Sequence, residues 1–185
     1  MPPQTLAWIE LTALWIAWAY PFLFRAPHAQ KRESITVAGP TRLGILLEAA
    51  GVLLAFIGAT PLRSGAAALL IALALGVTGA VLSWTAVTHL GKQFRVHAGL
   101  YVDHELVRTG PYAIVRHPIY ASLLALLLAT VVLRTPWPRA LLALAVFLVG
   151  TEIRVRSEDR LLASRFGAQF ARYQKEVSAY IPFVR

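Results

Sequence analysis

The stretch His104-Glu105-Leu106-Val107-Arg108-Thr109-Gly110-Pro111-Tyr112, followed after three residues by Arg116-His117-Pro118-Ile119-Tyr120, gathers the most chemically capable side chains of the chain. Gly110-Pro111 marks a turn. Pro118 opens an apolar run, and the first turn of a helix tolerates a residue without an N–H. Arg116 and His117 are therefore predicted to stand at a helix N-terminus, where unpaired N–H groups and the helix dipole favour an anion, and where Arg116 can grip a carboxylate through two bonds. A second cluster lies near the C-terminus. Val155, Leu162, Phe166, Phe170, Tyr173 and Val177 recur mostly three or four apart, which defines one face of an amphipathic helix, and Glu158 lies on that row. A carboxylate turned toward an apolar side is costly unless it is paired. A helical Arg154–Glu158 pair is one way to satisfy it, and snorkelling to headgroups is one account of Arg116 and His117. Taken together, the cation of the first segment and the anion of the second match the two charges of a zwitterionic amino acid, such as the methionine end of S-adenosylmethionine.

The elements that must position these groups are read from hydrophobic runs. Of the 185 residues, 57% are hydrophobic and 15% charged, and the mean hydropathy is +0.60. That is too apolar for a soluble domain, whose surface must be largely polar. Residues 5–24 hold only Glu10 as a charge and are long enough to cross a hydrocarbon core of about 30 Å. No basic residue precedes them and no small-residue cleavage site follows, so a membrane helix is expected rather than a signal peptide. Runs at 43–60 and 66–88 are expected to form a helical hairpin, and shorter runs at 119–133 and 140–153 a second, short one. An amphipathic helix is expected from Arg154 onward. The fold expected is all-α: a polytopic integral membrane protein of about five transmembrane helices, with a three-helix membrane region over 1–88 and a catalytic region over 89–185.

Lysine and arginine distribution gives an orientation. Of the 18 basic residues only Arg63, Arg134 and Arg139 fall on one side of this topology. Cytoplasmic connections carry the excess, so the N-terminus is expected outside and the polar segments at the cytoplasmic face. The net charge of +9 is accounted for by this topology and by anionic headgroups, with no nucleic-acid partner. The chain has no cysteine, which removes thiolate chemistry and disulfides. His89, His97 and His104 share one segment, but their spacings of eight and seven have no reinforcing carboxylate geometry, and no metal is expected.

These motifs resemble the isoprenylcysteine carboxyl methyltransferase and phospholipid methyltransferase superfamily over roughly residues 84 to 182: a His-x-Leu-Val and Gly-Pro-Tyr segment, Arg-His-Pro-x-Tyr, an apolar hairpin, and paired acids before Phe166-Gly167. The resemblance implies S-adenosylmethionine as cofactor and a membrane-embedded or lipid-modified substrate. It implies that His104, Leu106, Val107, Gly110 and Tyr112 enclose the adenosine, that Arg116, His117, Pro118 and Tyr120 shape the pocket at the helix start, and that Glu158 with Asp159 lies near the amino-acid end, with Arg154 near the substrate. The chain departs from the pattern at Asp159, where Glu is usual, at Ser122, where Gly is usual, and over Val177-Ser178-Ala179-Tyr180-Ile181-Pro182, which lacks an expected arginine. The last departure bears on the substrate more than on the cofactor. An isoprenylcysteine-like carboxylate needs no general base, whereas a lipid amine needs one, for which His117 or Glu158 are the candidates. A membrane reductase using NADPH would instead call for several cations around a phosphate, and a scaffold would make Glu10, Glu48 and Glu152, read here as structural, its principal charges.

Overall fold

Alanine and leucine, which lose little side-chain freedom in a helix, dominate the helices α1 (Pro3–Phe24), α2 (Thr41–Phe56), α3 (Ala66–Leu90) and α4 (Pro118–Arg134). Two further helices, α5 (Trp137–Phe166) and α6 (Ala168–Glu176), complete the set. The computed structural model describes residues 3–25, 34–37, 39–58, 61–94, 99–101 and 104–184. Lys31, Arg32, Thr60, Arg95, His97 and Arg185, used above for topology, run ends and metal chemistry, lie outside them. Both α1 and the stretch Ala66–Gln93 are long and apolar enough to cross a membrane. Leu46, Leu53, Leu70, Ile71, Leu141 and Leu142 point outward and are exposed; an apolar outer surface of this kind is matched by lipid rather than water. The molecule is an integral membrane protein.

Three sequence expectations change. The runs ending α2 and opening α3 do not form a hairpin: α2 packs along α5, while α3 packs along α4 and α1. The connection between them crosses the end of α4, where the Arg63 N–H donates to the Leu133 carbonyl at 2.7 Å and its guanidinium to the Val132 and Thr135 carbonyls at 2.7 and 2.9 Å. The exchange is reciprocal, because Arg134 donates to the Phe56 and Gly58 carbonyls that end α2. Two arginines thus satisfy carbonyls that a helix end leaves unpaired. Secondly, no separate helix begins at Arg154. Nothing between Ile153 and Phe166 breaks a helix, so α5 continues for 30 residues, about 45 Å, until Gly167 at φ +49° ends it and α6 starts. Thirdly, the helical class has one addition: β1 (Ser34–Val37) pairs antiparallel with β2 (Gly99–Tyr101), joining the two polar connections. Strands of three and four residues are too short for a periodicity reading.

Polar side chains fasten the apolar helices. The Trp15 indole donates to Thr130 Oγ1 at 3.1 Å and the Trp18 indole to Ser122 Oγ at 2.9 Å, tying α1 to α4. Ser122, the departure from Gly noted above, is fully buried and is held in place by this bond. The α2–α5 crossing depends on Gly44 and Gly150. A Cβ at Gly44 would lie 2.8 Å from the Gly150 carbonyl, and one at Gly150 would lie 2.7 Å from the Gly44 carbonyl. This close approach brings Glu48 of α2 against the middle of α5.

Candidate active site

The turn that follows residue 109 owes its shape to Gly110, at φ +58°, which L side chains adopt reluctantly. A Cβ there would also fall 2.7 Å from Cε1 of His89, whose Nδ1–H donates to the Thr85 carbonyl at 2.8 Å. Gly110→Ala is therefore expected to cost about 1–2 kcal/mol from backbone conformation alone, with more from the collision; a lowered melting temperature in detergent checks it. The turn runs through a 3₁₀ segment, Gly110–Ala113, whose Tyr112 carbonyl accepts a 2.5 Å bond from the buried Tyr173 hydroxyl of α6. Burial, together with the nearby Asp159 charge, outweighs the neighbouring arginines and pushes the Tyr173 phenol up to about 12, so it remains a donor at neutral pH.

Beyond the turn the chain is strapped by its own C-terminal segment. Val115 and Ser178 form a parallel bridge, and the backbone N–H groups of Arg116 and His117 donate to the carbonyls of Ser178 and Ala179 at 2.8 and 2.7 Å. His117 is the N-cap residue of α4 and Pro118 begins the helix. Arg116 is nearly buried and turns inward. One terminal nitrogen donates to Asp159 Oδ2 at 3.1 Å, the other to the carbonyls of Val177 and Gln174. The two-bond grip on a ligand carboxylate expected of Arg116 is thus taken up within the protein, because the C-terminal segment brings its carbonyls to the guanidinium. The Nε–H is buried without a hydrogen-bond partner.

His117 stands between the paired acids. Its Nε2 lies 2.9 Å from Asp159 Oδ1 and its Nδ1 3.2 Å from Glu158 Oε2. An acceptor at each nitrogen favours the imidazolium. Burial alone would lower its pKa, but hydrogen bonds to Asp159 and Glu158 and their charges together move it above the ordinary 6.5. Burial likewise opposes ionisation of both acids, and the bonds and charges of His117, with Arg154 for Glu158 and Arg116 for Asp159, reverse it, so both fall below their ordinary values of 4.5 and 3.8. The signs define a window. Stability from the raised histidine is present in full below pH 6.5 and is lost as pH rises through its folded value; stability from the acids is present in full above pH 4.5 and is lost as pH falls through theirs. A melting temperature that falls on the alkaline side of this window in the wild type, with a shallower slope in His117→Gln, is the expected result.

Glu158 Oε1 accepts from the Tyr120 hydroxyl. The Arg154 guanidinium lies over the Tyr120 ring, 4.6 Å from its centroid, and donates to Glu48 Oε2 at 2.6 Å. Glu48 is 3% exposed and its other oxygen accepts from Thr151 at 3.0 Å. Arg154 thus pairs across helices with Glu48, while its charge also favours the ionised form of Glu158. Residues Glu48, Arg154, Glu158, His117, Asp159 and Arg116 form a run of alternating charge from α2 to the C-terminal strap.

This run borders a cavity of about 140 Å³. His104, Leu106, Val107, Tyr112, Arg116, His117, Pro118, Tyr120, Arg154 and Glu158 all line it. Two expected residues do not: Gly110 shapes the turn from behind, and Asp159 faces a second cleft with Arg156, Arg160 and Ser178. Leu90, Gln93 and Leu161 line the cavity as well, and no motif or spacing pointed to them. Glu48, which reaches the run from another helix, carried one signal: an acid inside an apolar stretch asks for a partner.

Comparison with known proteins places this arrangement. Over 93 residues the chain is 37% identical to the cobalt-zinc-cadmium resistance protein CzcN of Cupriavidus metallidurans, covering 48% of this chain and 42% of that protein. It is 34% identical over 117 residues to a protein-S-isoprenylcysteine O-methyltransferase of Tribolium castaneum, covering 62% and 41%. It is 32% identical over 111 residues to protein-S-isoprenylcysteine O-methyltransferase B of Arabidopsis thaliana, covering 58% and 56%. The matches span about half the length of these relatives. The sequence profile of the isoprenylcysteine carboxyl methyltransferase (ICMT) family matches residues 70–164, from α3 to the last turn of α5 and so across the cavity and most of the charged run; the chain belongs to this family.

Proposed function

We propose that the protein is a methyltransferase that uses S-adenosylmethionine to methylate the carboxylate of an isoprenylcysteine-like, lipid-modified substrate. The observation that carries this reading is the charge balance of the run beside the cavity: Arg116, His117 and Arg154 against Glu48, Glu158 and Asp159. A balanced set suits a zwitterion, whereas NADPH would need a surplus of cations for its phosphates. The residues fit the proposed cofactor, with the buried Arg116 Nε–H available to its carboxylate, ionised Glu158 near its ammonium, and His104, Leu106, Val107 and Tyr112 around the adenosine.

When bound, S-adenosylmethionine supplies an electrophilic methyl on a sulfonium, and transfer is an in-line displacement that rests on alignment at about 3–3.5 Å. Arg154 is assigned to the acceptor carboxylate, with Tyr120 holding both Arg154 and Glu158 in orientation. His117 and Asp159 position Glu158. No group in the run is placed as a good base: both ring nitrogens of His117 already face carboxylates, and Glu158 accepts from the Tyr120 hydroxyl and faces His117. This favours a carboxylate, ionised at neutral pH, over a protonated lipid amine. Tyr173 of α6 lines the cavity, and closure of the site over bound ligand excludes water. The three membrane helices of 1–88 support the catalytic region of 89–185 and lend it Glu48. Five spans are read from the apolar runs, and an outside N-terminus with a cytoplasmic site from the basic-residue asymmetry; Arg63 and Arg134 lying together at one end of the bundle support that orientation. The last two spans are a short α4 and the apolar half of α5.

Purified protein in detergent should bind S-adenosylhomocysteine in calorimetry and not NADPH. Membranes given labelled methyl donor and an N-acetylated S-isoprenylcysteine should form a product that releases its label as methanol in base, as a methyl ester does. Label that resists base would point to an amine acceptor, and binding of NADPH alone would remove the methyltransferase reading.

A further inference from the structure

Gln93 closes the 3₁₀ turn Gly91–Gln93 that follows α3. Its side chain is 4% exposed, it lines the cavity, and neither Oε1 nor Nε2 has a hydrogen-bond partner. A buried primary amide with both ends unsatisfied is destabilising, since its lost hydration is not replaced. Such a group is explained when a ligand supplies the missing partners.

The amide also restricts what that ligand atom set can be. It is neutral, planar, and offers one acceptor beside donors. Apart from Glu105, which is exposed and paired with Lys92 at 3.2 Å, the charged lining groups come from α5 and the start of α4, whereas Gln93 comes from the end of α3, next to Leu90 and in a cavity shared with Leu106 and Val107. A neutral, flat group with a donor beside an acceptor fits there, and among the parts of S-adenosylmethionine only the adenine edge has this pattern. We propose that Gln93 is the residue that reads adenine in this site, its Oε1 accepting from the 6-amino group and its Nε2 donating to the adjacent ring nitrogen, the two-bond pairing by which a carboxamide recognises adenine. The assignment rests on the cofactor reading given above and adds to it a residue that selects the base.

Gln93→Leu separates this role from a packing role. It removes both orphaned atoms and keeps the size of the side chain, so the ligand-free protein should melt at the wild-type temperature or above. Binding of S-adenosylhomocysteine and of its 6-deamino purine analogue is measured by calorimetry for the full chain in detergent. The wild type is expected to prefer the 6-amino ligand about ten-fold, and Gln93→Leu to bind it about ten-fold more weakly with the preference gone. Retained affinity and preference in Gln93→Leu overturns the assignment, as does an equal loss for both ligands, or a melting temperature lowered by several degrees. If the wild type binds NADPH and not S-adenosylhomocysteine, the cofactor reading fails and this inference with it; wild-type binding of S-adenosylhomocysteine with an indifferent Gln93→Leu leaves the cofactor reading standing and removes this one alone.

Discussion

Replacing Glu158 with glutamine is expected to weaken S-adenosylhomocysteine binding ten-fold or more and to reduce methyl transfer at least as far, in a protein that still folds. The carboxylate accepts from the Tyr120 hydroxyl on one oxygen and faces His117 Nδ1 at 3.2 Å on the other. Both neighbours are donors, so an amide must turn its NH₂ toward one of them and set donor against donor. One charge-assisted hydrogen bond is lost, on the order of 1.5–3 kcal/mol, together with the negative charge offered to the cofactor's ammonium. The fold survives because Asp159 keeps its 2.9 Å contact with His117 Nε2 and its 3.1 Å contacts with Arg116 and Gln174. Calorimetry and thermal unfolding in the same detergent read the two effects separately. A deaminated S-adenosylhomocysteine analogue sharpens the test: the wild type should bind it poorly, while Glu158→Gln should scarcely distinguish it from the parent compound. Wild-type affinity in Glu158→Gln would falsify the assignment of this acid to the ammonium.

Removing Glu48 is expected to produce the largest loss of stability. Its side chain is 4% exposed and Arg154 opposite is 14% exposed, so Glu48→Ala leaves a guanidinium in an apolar bundle without its partner at 2.6 Å and deprives Thr151 of its acceptor. Breaking one side of such a pair costs about 3–5 kcal/mol. Replacing both members with apolar residues of similar size, as in Glu48→Leu with Arg154→Met, should return most of that stability, because no stranded charge remains. Activity should not return with it, since Arg154 is assigned to the acceptor carboxylate. Thermal unfolding of the single and double variants, set beside their methyl transfer, checks both halves; a double variant as unstable as Glu48→Ala would mean that the pair is not what fastens α2 to α5 here.

Arg116 illustrates how far motif reading reached. Its place at the start of α4 follows from Pro118 and the apolar run behind it, both local features. Its partners do not follow, because the carbonyls of Gln174 and Val177 lie some sixty residues later and arrive only when α6 and the strap dock. Asp159 is similar: the paired acids were visible side by side, yet neighbours on a helix point in different directions, and one faces the cavity while the other braces it from the second cleft.

The sequence by itself determined the membrane character of the chain and the starts of its apolar helices, since composition and proline and glycine positions act locally, and its short motifs, through the family they resemble, pointed to most residues that line the cavity. Which helix lies beside which was decided by tertiary structure alone. Helices apolar on nearly every side carry no periodic signal naming the face that meets a neighbour. The pairing of α2 with α5 and the meeting of Glu48 with Arg154 therefore depend on the close approach at Gly44 and Gly150 and on arginine caps between distant helix ends, which take shape only when the bundle packs.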